Sequence, residues 1–354
     1  MKKIYVQAQA DHIESLFRGS PLSAVEELVW NALDADAREV RIDLITNPLG
    51  GVEAVRISDD GSGIDILNAD STFGHLGGSW KRGGGRTSVD GRRLHGRHGR
   101  GRFRAFALGT HVAWRTTTMV GNETLSYALI GEADAPGVFA LEEVASPGPA
   151  TGTEVYVENV RATVDSLLET TETVQNLAAK FALYLKSYPD VRIYFNGIPV
   201  TPVIVQKQAA AYAVALENGQ EAKLEIIEWK RKFSGAGRLV FAGPDGFQLH
   251  EVPAGVRSGV DASYTAYLVS PRFPALHAEN ALVMDELNPE VRMYLDKAKE
   301  VLRAHFVAQG GAEKSAFERL WEQRLSELSK DERKTLLALL KKSMKSARTS
   351  AKSR

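Results

Sequence analysis

The stretch AVEELVWNALDADAREV, residues 24–40, carries side chains capable of chemistry at helical spacing. At about 100° per residue, Glu27, Asn31 and Asp34 fall in one narrow arc, and Val25, Leu28, Val29, Ala32 and Leu33 fall opposite it. A packed helix needs the apolar stripe. It does not need a stripe of two carboxylates and an amide. A second group stands at DDGSGI, residues 59–64, just after a strand-like run. Its spaced glycines let backbone approach a flat ligand, and the Asp59 carboxylate would accept a hydrogen bond from it, with Gly61 and Gly63 making room. Asp-Gly turns after strands are common, so this motif is weak alone. A third stretch, GRHGRGRFRAFALG, sets Gly96, Gly99 and Gly101 ahead of a helical pattern, where consecutive backbone N–H groups form an anion site. It lacks the Gly-Lys-Ser/Thr ending of a P-loop, and GGGRTS at 83–88 fails the same test. TGTEVYV adds Gly152 and Thr153 at the start of a strand.

The elements that must position these residues follow from periodicity and turn chemistry. Residues 12–18 read as a short helix, GSPLS supplies a helix start, and Ser23 with Glu26 fits a capping box. EVRIDLIT and VEAVRIS are strands joined by the turn NPLGG. Residues 74–101 have almost nothing to bury and read as a long loop or lid, after which FRAFALG restores a helical pattern. HVAWRTTT, ETLSYALI, GVFALEEV and TEVYVEN are further strands, and an amphipathic helix lies within 163–187. A helix, a sheet and a Gly-rich lid make a two-layer α/β sandwich the natural architecture. YPDVRIYFNGIPV opens a new run of strands with an Asn-Gly turn, followed by AKLEIIEW, GRLVFAG, FQLHEV and YTAYLVS. NPEVRMYLDKAKEVLRAHF is a helix, and a domain boundary is expected near 190–205.

Bulk properties bound the function. At 354 residues the chain exceeds the size of one core, so two domains are expected. Lys plus Arg number 44, as do Asp plus Glu, which leaves no global charge argument for nucleic acid. The absence of cysteine removes disulfides, thiol nucleophiles and Cys-based zinc sites. No run approaches the roughly 18 apolar residues of a spanning helix, so a soluble, cytoplasmic protein with no membrane partner is expected. After Glu332 every charge is basic, which reads as a frayed tail.

Taken in order, AVEELVWNALDADA, RISDDGSGI, GRHGRGRFRAFALG and TGTEVYV resemble the four sequence boxes of the GHKL ATPases, which include gyrase B, heat-shock protein ninety, histidine kinases, MutL and the related MORC proteins. The resemblance spans about the first 160 residues, and VEELVWNALDADAREVRIDL is closer to the MutL box than to the chaperone one. It implies an α+β protein: a Bergerat-type two-layer α/β sandwich binding ATP over 1–190, with its lid at about 74–101, a transducer-like α/β domain over 191–310, and C-terminal helices with a basic tail over 311–354. The cofactors implied are ATP and Mg2+. Glu27 then resembles the general base for the attacking water, Asn31 the Mg2+ ligand, and Asp59 the adenine reader, helped by Thr153 through a water. The glycines of the third box resemble the phosphate-binding hinge. Mg2+ prefers oxygen ligands and takes few from the protein, so Asn31 and Glu27, one turn apart, can serve metal and water from one surface.

The resemblance also implies ATP-gated dimerisation and a basic residue of the second domain reaching the γ-phosphate, for which Lys230, Lys232 and Arg272 are candidates. Nine basic residues between Lys81 and Arg104 face a lone Asp90. Lys81 and its neighbours could clamp the triphosphate or touch a nucleic-acid backbone. The competing reading is a solvated basic loop. Asp34 divides evenly between a site role and a structural one, Asp60 reads as surface, and His95 and His98 read as lid residues rather than metal ligands. The expected function is an ATP-hydrolysing switch acting on DNA or with a partner effector protein. The alternative is a chaperone-like or scaffold protein with nucleotide-dependent protein binding.

Overall fold

The computed structural model describes residues 17, 19–65, 87, 90–92, 94–95, 101–135, 138–144, 150–216, 219–230, 237–258, 263–284 and 287–326, without the side chains at 101, 102 and beyond 310. Helix α1 is Pro21–Asp34. Ser20 caps it, its Oγ accepting from Ser23 N at 3.2 Å. Pro21 follows at the first helical position, where no N–H is required. The cap thus lies three residues before the box expected at Ser23 and Glu26. The helix also closes earlier than its sequence stretch: Asp36 takes a left-handed backbone with φ of 62°, and a strand begins at Glu39.

The first sheet holds eight strands: β1 Glu39–Thr46, β2 Val52–Asp59, β3 Gly109–Val120, β4 Glu123–Glu132, β5 Phe139–Glu143, β6 Gly152–Val160, β7 Arg192–Phe195 and β8 Ile198–Pro199. Their order is β5-β4-β3-β6-β2-β1-β7-β8, antiparallel except for the β1–β7 pair. One face buries Val55, Ile57, Val112, Trp114 and Val157 against α1 and against helix α2, Thr170–Ser187, whose Leu177, Phe181 and Tyr184 join the same core. Each such large apolar side chain contributes about 1.5–3 kcal/mol by leaving water.

The second sheet contains β9 Gln206–Ala215, β10 Glu221–Trp229, β11 Arg238–Ala242, β12 Gln248–Pro253 and β13 Ser263–Val269, in the order β12-β11-β13-β10-β9. One face sends Trp229, Val240 and Tyr267 into the first core, so α2 is covered on both sides. The other buries Leu224, Phe241 and Tyr264 with Val291, Tyr294 and Leu302 of helix α3, Pro289–Ser326. The layers therefore run sheet, helices, sheet, helix. This α+β arrangement carries the expected sandwich, with its helices covered by the second unit.

Two expected boundaries move. Residues 192–199, assigned by sequence to the second unit, belong to the first sheet, because β7 pairs with β1 in parallel and Asn196 Oδ1 accepts from Leu44 N at 2.8 Å. The helical segment expected to start at 311 is instead the continuation of α3. Strand β9 was not anticipated, since its alanines carry no β-branched signal. Residues 12–16 and the basic tail lie outside the described residues. Among the described residues, no helix is long and apolar enough to cross a membrane.

The two units are joined by polar contacts on α2. The Tyr267 hydroxyl donates to Ala179 O at 2.9 Å, Gln248 Nε2 donates to Lys180 O at 2.7 Å, and Lys186 pairs with Glu225. Tyr267→Phe is expected to cost about 1 kcal/mol, read as a lower midpoint in urea unfolding; an unchanged midpoint would mean that this bond does not hold the units together.

Candidate functional site

Where the first sheet meets the C-terminal end of α1, its core face changes character. Side chains directly opposite each other on paired strands share a face. One row across the sheet is Ile57, Val155, Trp114 and Leu129, all buried and apolar. The next row on that face, two residues along each strand, is Asp59, Thr153, Thr116 and Tyr127. The apolar core thus ends in a polar row.

Asp59 is fixed by backbone. Its Oδ1 accepts from Gly61 N at 2.9 Å and Thr153 N at 3.3 Å, whereas Oδ2 takes no hydrogen bond among the described residues. Burial pushes its carboxyl up from 3.8 to about 6, against the pull of the Gly61 and Thr153 amides. The loop that follows is held from both sides. Ser62 N donates to Ala35 O at 2.7 Å, which ties the loop to the end of α1. Ile64 N donates to Thr116 Oγ1 at 2.9 Å, and Ile64 O accepts from the Tyr127 hydroxyl. Gly61 is required by this packing, since a Cβ there would stand 2.6 Å from Ala35 O. Gly63 has φ of 75° and lies against Thr117 O, so a side chain would be both strained and obstructed. Asp60 is exposed, yet its Oδ1 accepts from Arg38 N and Glu39 N at 2.7 and 2.8 Å and fastens the loop to β1.

Helix α1 presents three stripes. The core stripe is Val25, Leu28, Val29, Ala32 and Leu33. Glu27 and Asn31 share a second, partly exposed stripe. The third contacts what returns from the expected lid and what arrives from the second unit. There Asp34, only 9% exposed, accepts from His95 N at 2.6 Å, and the His95 ring stacks on Trp30 with centroids 4.3 Å apart. Phe247 of the second unit lies 5.3 Å from the same imidazole. Glu26, next along, opens onto a cleft of about 160 Å³ beside Lys180, Arg238 and Glu251. Burial raises its carboxyl above the ordinary value, with Lys180 opposing.

The structure therefore brings Asp59, Gly61, Gly63 and Thr153 together and joins them to the end of α1. Gly101 opens a 3-10 helix, Gly101–Ala107, which packs on α1 and β3. Lys81, Gly96, Gly99 and His98 lie outside the described residues, as does Lys232. Lys230 Nζ donates to Ile204 O, and Arg272 makes a two-pronged pair with Glu290 at the start of α3. Neither is brought to the polar row by these contacts. At Arg92 the reading of a solvated or phosphate-clamping arginine meets a buried side chain. Arg92 is 4% exposed, its guanidinium donating to Ala37 O at 2.7 Å and to Asp90 Oδ2 at 2.5 Å. Its planar donors reach the carbonyls of Ala37 and Asp36 as the chain departs α1. Sequence reasoning also missed Thr116 and Tyr127, whose only signal was register.

The arrangement is a polar row ending an apolar sheet face, framed by a helix with a Glu and Asn stripe, an Asp-Gly loop and a Gly-Thr strand start. Residues 20–136 match the family described as histidine kinase-, DNA gyrase B- and HSP90-like ATPase. A stretch of 53 residues is 42% identical to the DNA mismatch repair protein MutL of Halalkalibacterium halodurans, covering 15% of this chain and 8% of that protein. Over residues 20–136 the chain is thus similar to the GHKL ATPases, with its likeness on the MutL side.

Two stability predictions follow from the burial of charge. Because the folded state keeps the Asp59 proton between about pH 4 and 6, where the unfolded chain has released it, stability falls as pH rises through that window. Asp59→Asn is expected to raise stability by about 1–2 kcal/mol at pH 8, the shift being discounted for partial exposure, and by nothing at pH 3; equal unfolding curves at both pH values would contradict the buried carboxylate. Arg92→Met takes the donor from the Ala37 carbonyl and leaves Asp90 with Arg38 alone, and is expected to cost about 1–3 kcal/mol in thermal unfolding.

Proposed function

We propose that the protein binds ATP with Mg2+ on this site and hydrolyses it slowly, as a molecular switch. The observation that carries the reading is Asp59: a half-buried carboxylate with one oxygen spent on backbone and the other open to accept, at the end of an otherwise apolar face. Such a group suits the amino edge of a base. The stripe of α1 suits the other end of the nucleotide. Asn31 would offer an amide oxygen to Mg2+, which supplies charge neutralisation on the phosphates when bound. Among the described residues no group of three or more Asp, Glu or His stands ready to cage a metal. A cation here would thus rest on Asn31 and on oxygens of ligand and water, the usual habit of Mg2+ in nucleotide sites.

Glu27, one turn before Asn31, orients a water and takes its proton as that water attacks; phosphoryl transfer needs mainly this positioning. Gly96, Gly99 and Gly101 are given to the phosphates by the family resemblance, and Lys81 by its charge within the basic run of 81–104. Lid closure is the switching event, with ATP-dependent dimerisation and action on DNA through the basic residues of 81–104 and the tail as its output. That output rests on the likeness to a protein described as a DNA mismatch repair MutL, of which this chain matches a small part.

Glu27→Ala is expected to lower turnover at least about a hundredfold with ATP affinity unchanged. Retained turnover would remove Glu27 from the chemistry. The same variant should accumulate an ATP-dependent dimer in size-exclusion light scattering. Nucleotide-dependent protein capture without DNA binding would favour a scaffold role instead.

A further inference from the structure

Each sheet has two edges, and three of the four carry devices that keep further strands away. β5 is short and ends in Glu142 and Glu143, β8 is a stub containing Pro199, and β12 carries Glu251 and ends in Pro253. Short length, charge and proline are the ordinary means of blunting an edge. β9 uses none of them: it runs for 10 residues, Gln206–Ala215, with Lys207 its one charge and no proline. Among the described residues it pairs with β10 alone, and the sheet ends there. The hairpin fixes which groups face the open side. Leu216 N donates to Gln220 O at 2.9 Å, and in an antiparallel ladder every second pair from there exchanges hydrogen bonds. Val214, Tyr212 and Ala210 therefore bond to β10, and Ala209, Ala211, Ala213 and Ala215 turn their N–H and C=O outward. These four alanines are exposed. Their side chains lie on the face away from α3, since Val214 is buried in the core that includes α3 and the Tyr212 hydroxyl meets His305 of α3 at 2.7 Å.

We propose that the edge of β9 is a docking surface for a second copy of this chain, the two β9 strands pairing antiparallel about a two-fold axis at Ala211 so that the two sheets become one. The strand is self-complementary in that register. Outward-facing residues meet outward-facing residues, Ala209 against the second copy's Ala213 and Ala211 against its own equivalent. On the α3 face Tyr212 meets the second copy's Ala210, large against small, and the pair recurs on the other side of the axis. Lys207 falls opposite Ala215, so no like charges are set against each other. A contact of this isologous kind closes at two chains, and the doubled sheet stays within the usual size of open sheets. The pairing needs no nucleotide and is independent of the ATP reading.

The test is light scattering of the full chain without nucleotide over a range of protein concentrations. Wild type is expected to dimerise. Proline is tolerated at an edge position whose N–H faces outward, so Ala211→Pro should fold, with unchanged circular dichroism, and weaken the dimer at least about tenfold. Ala211→Lys and Ala211→Glu should each be monomeric, because residue 211 faces its own equivalent, and an equal mixture of the two should dimerise again. If proline disturbs the strand, the lysine and glutamate variants decide alone. Wild type that stays monomeric at every concentration overturns the proposal. So does a dimer that Ala211→Pro leaves unchanged, or a mixture of the charged variants that stays monomeric, as pairing in another register or through another surface would give. A dimer that forms with ATP alone also overturns it, being the nucleotide-gated one, which Ala211→Lys should leave intact.

Discussion

A carboxylate held where the sheet is otherwise apolar is the constraint on which the rest of this site depends. Asp59 follows Ile57 and Val55 on one face of β2, and those neighbours are buried. Keeping its charge there is costly unless donors surround it. Backbone amides of Gly61 and Thr153 meet one oxygen, and this requires a loop that turns back immediately and a strand start that approaches closely. Gly61, Gly63 and Gly152 follow from that geometry, as do the two buried hydroxyls that pin Ile64. Among the described residues the second oxygen takes no hydrogen bond.

Helix α1 links that site to everything else. Its apolar stripe holds it against the sheet, and its Glu27 and Asn31 stripe is partly exposed. Trp30 and Asp34 meet the segment that includes Arg92 and His95, and Phe247 brings the second unit to the same spot. One helix thus touches the Asp-Gly loop, the segment that includes His95, and the second unit. The α2 layer is packed on both sides and gives the second unit its seat.

Much of this was legible in the sequence because it is local. The polar stripe of α1 is a matter of helical period, the β1–β2 hairpin of alternation and a Gly-rich turn, and the Asp59 loop of residue type. What was not legible is non-local. Thr116 sits in the run Thr116-Thr117-Thr118, where nothing distinguishes it until β3 is registered against β6 and β4. β7 reads as the start of a second unit because its Asn-Gly turn is visible and its parallel partner β1, some 150 residues earlier, is not. Arg92 carries a side chain that is ordinarily exposed, so composition gave it to a solvated loop, whereas in the fold it is buried with its guanidinium donating to the carbonyls of Ala37 and Asp36. β9 hides in alanine, and its strand state comes from pairing with β10.

The most direct measurement is ATP binding to wild type and to Asp59→Asn, by calorimetry at pH 7.5 with Mg2+. Asparagine keeps the shape of the side chain and the acceptor that meets Gly61 and Thr153, but places an amide where the open oxygen stood. The account predicts binding by wild type and a loss of about a hundredfold in the variant, the magnitude of a charge-assisted hydrogen bond with its acceptor reversed. Equal affinities in the two proteins would mean that the base is not read at Asp59, and the site as built here would be wrong.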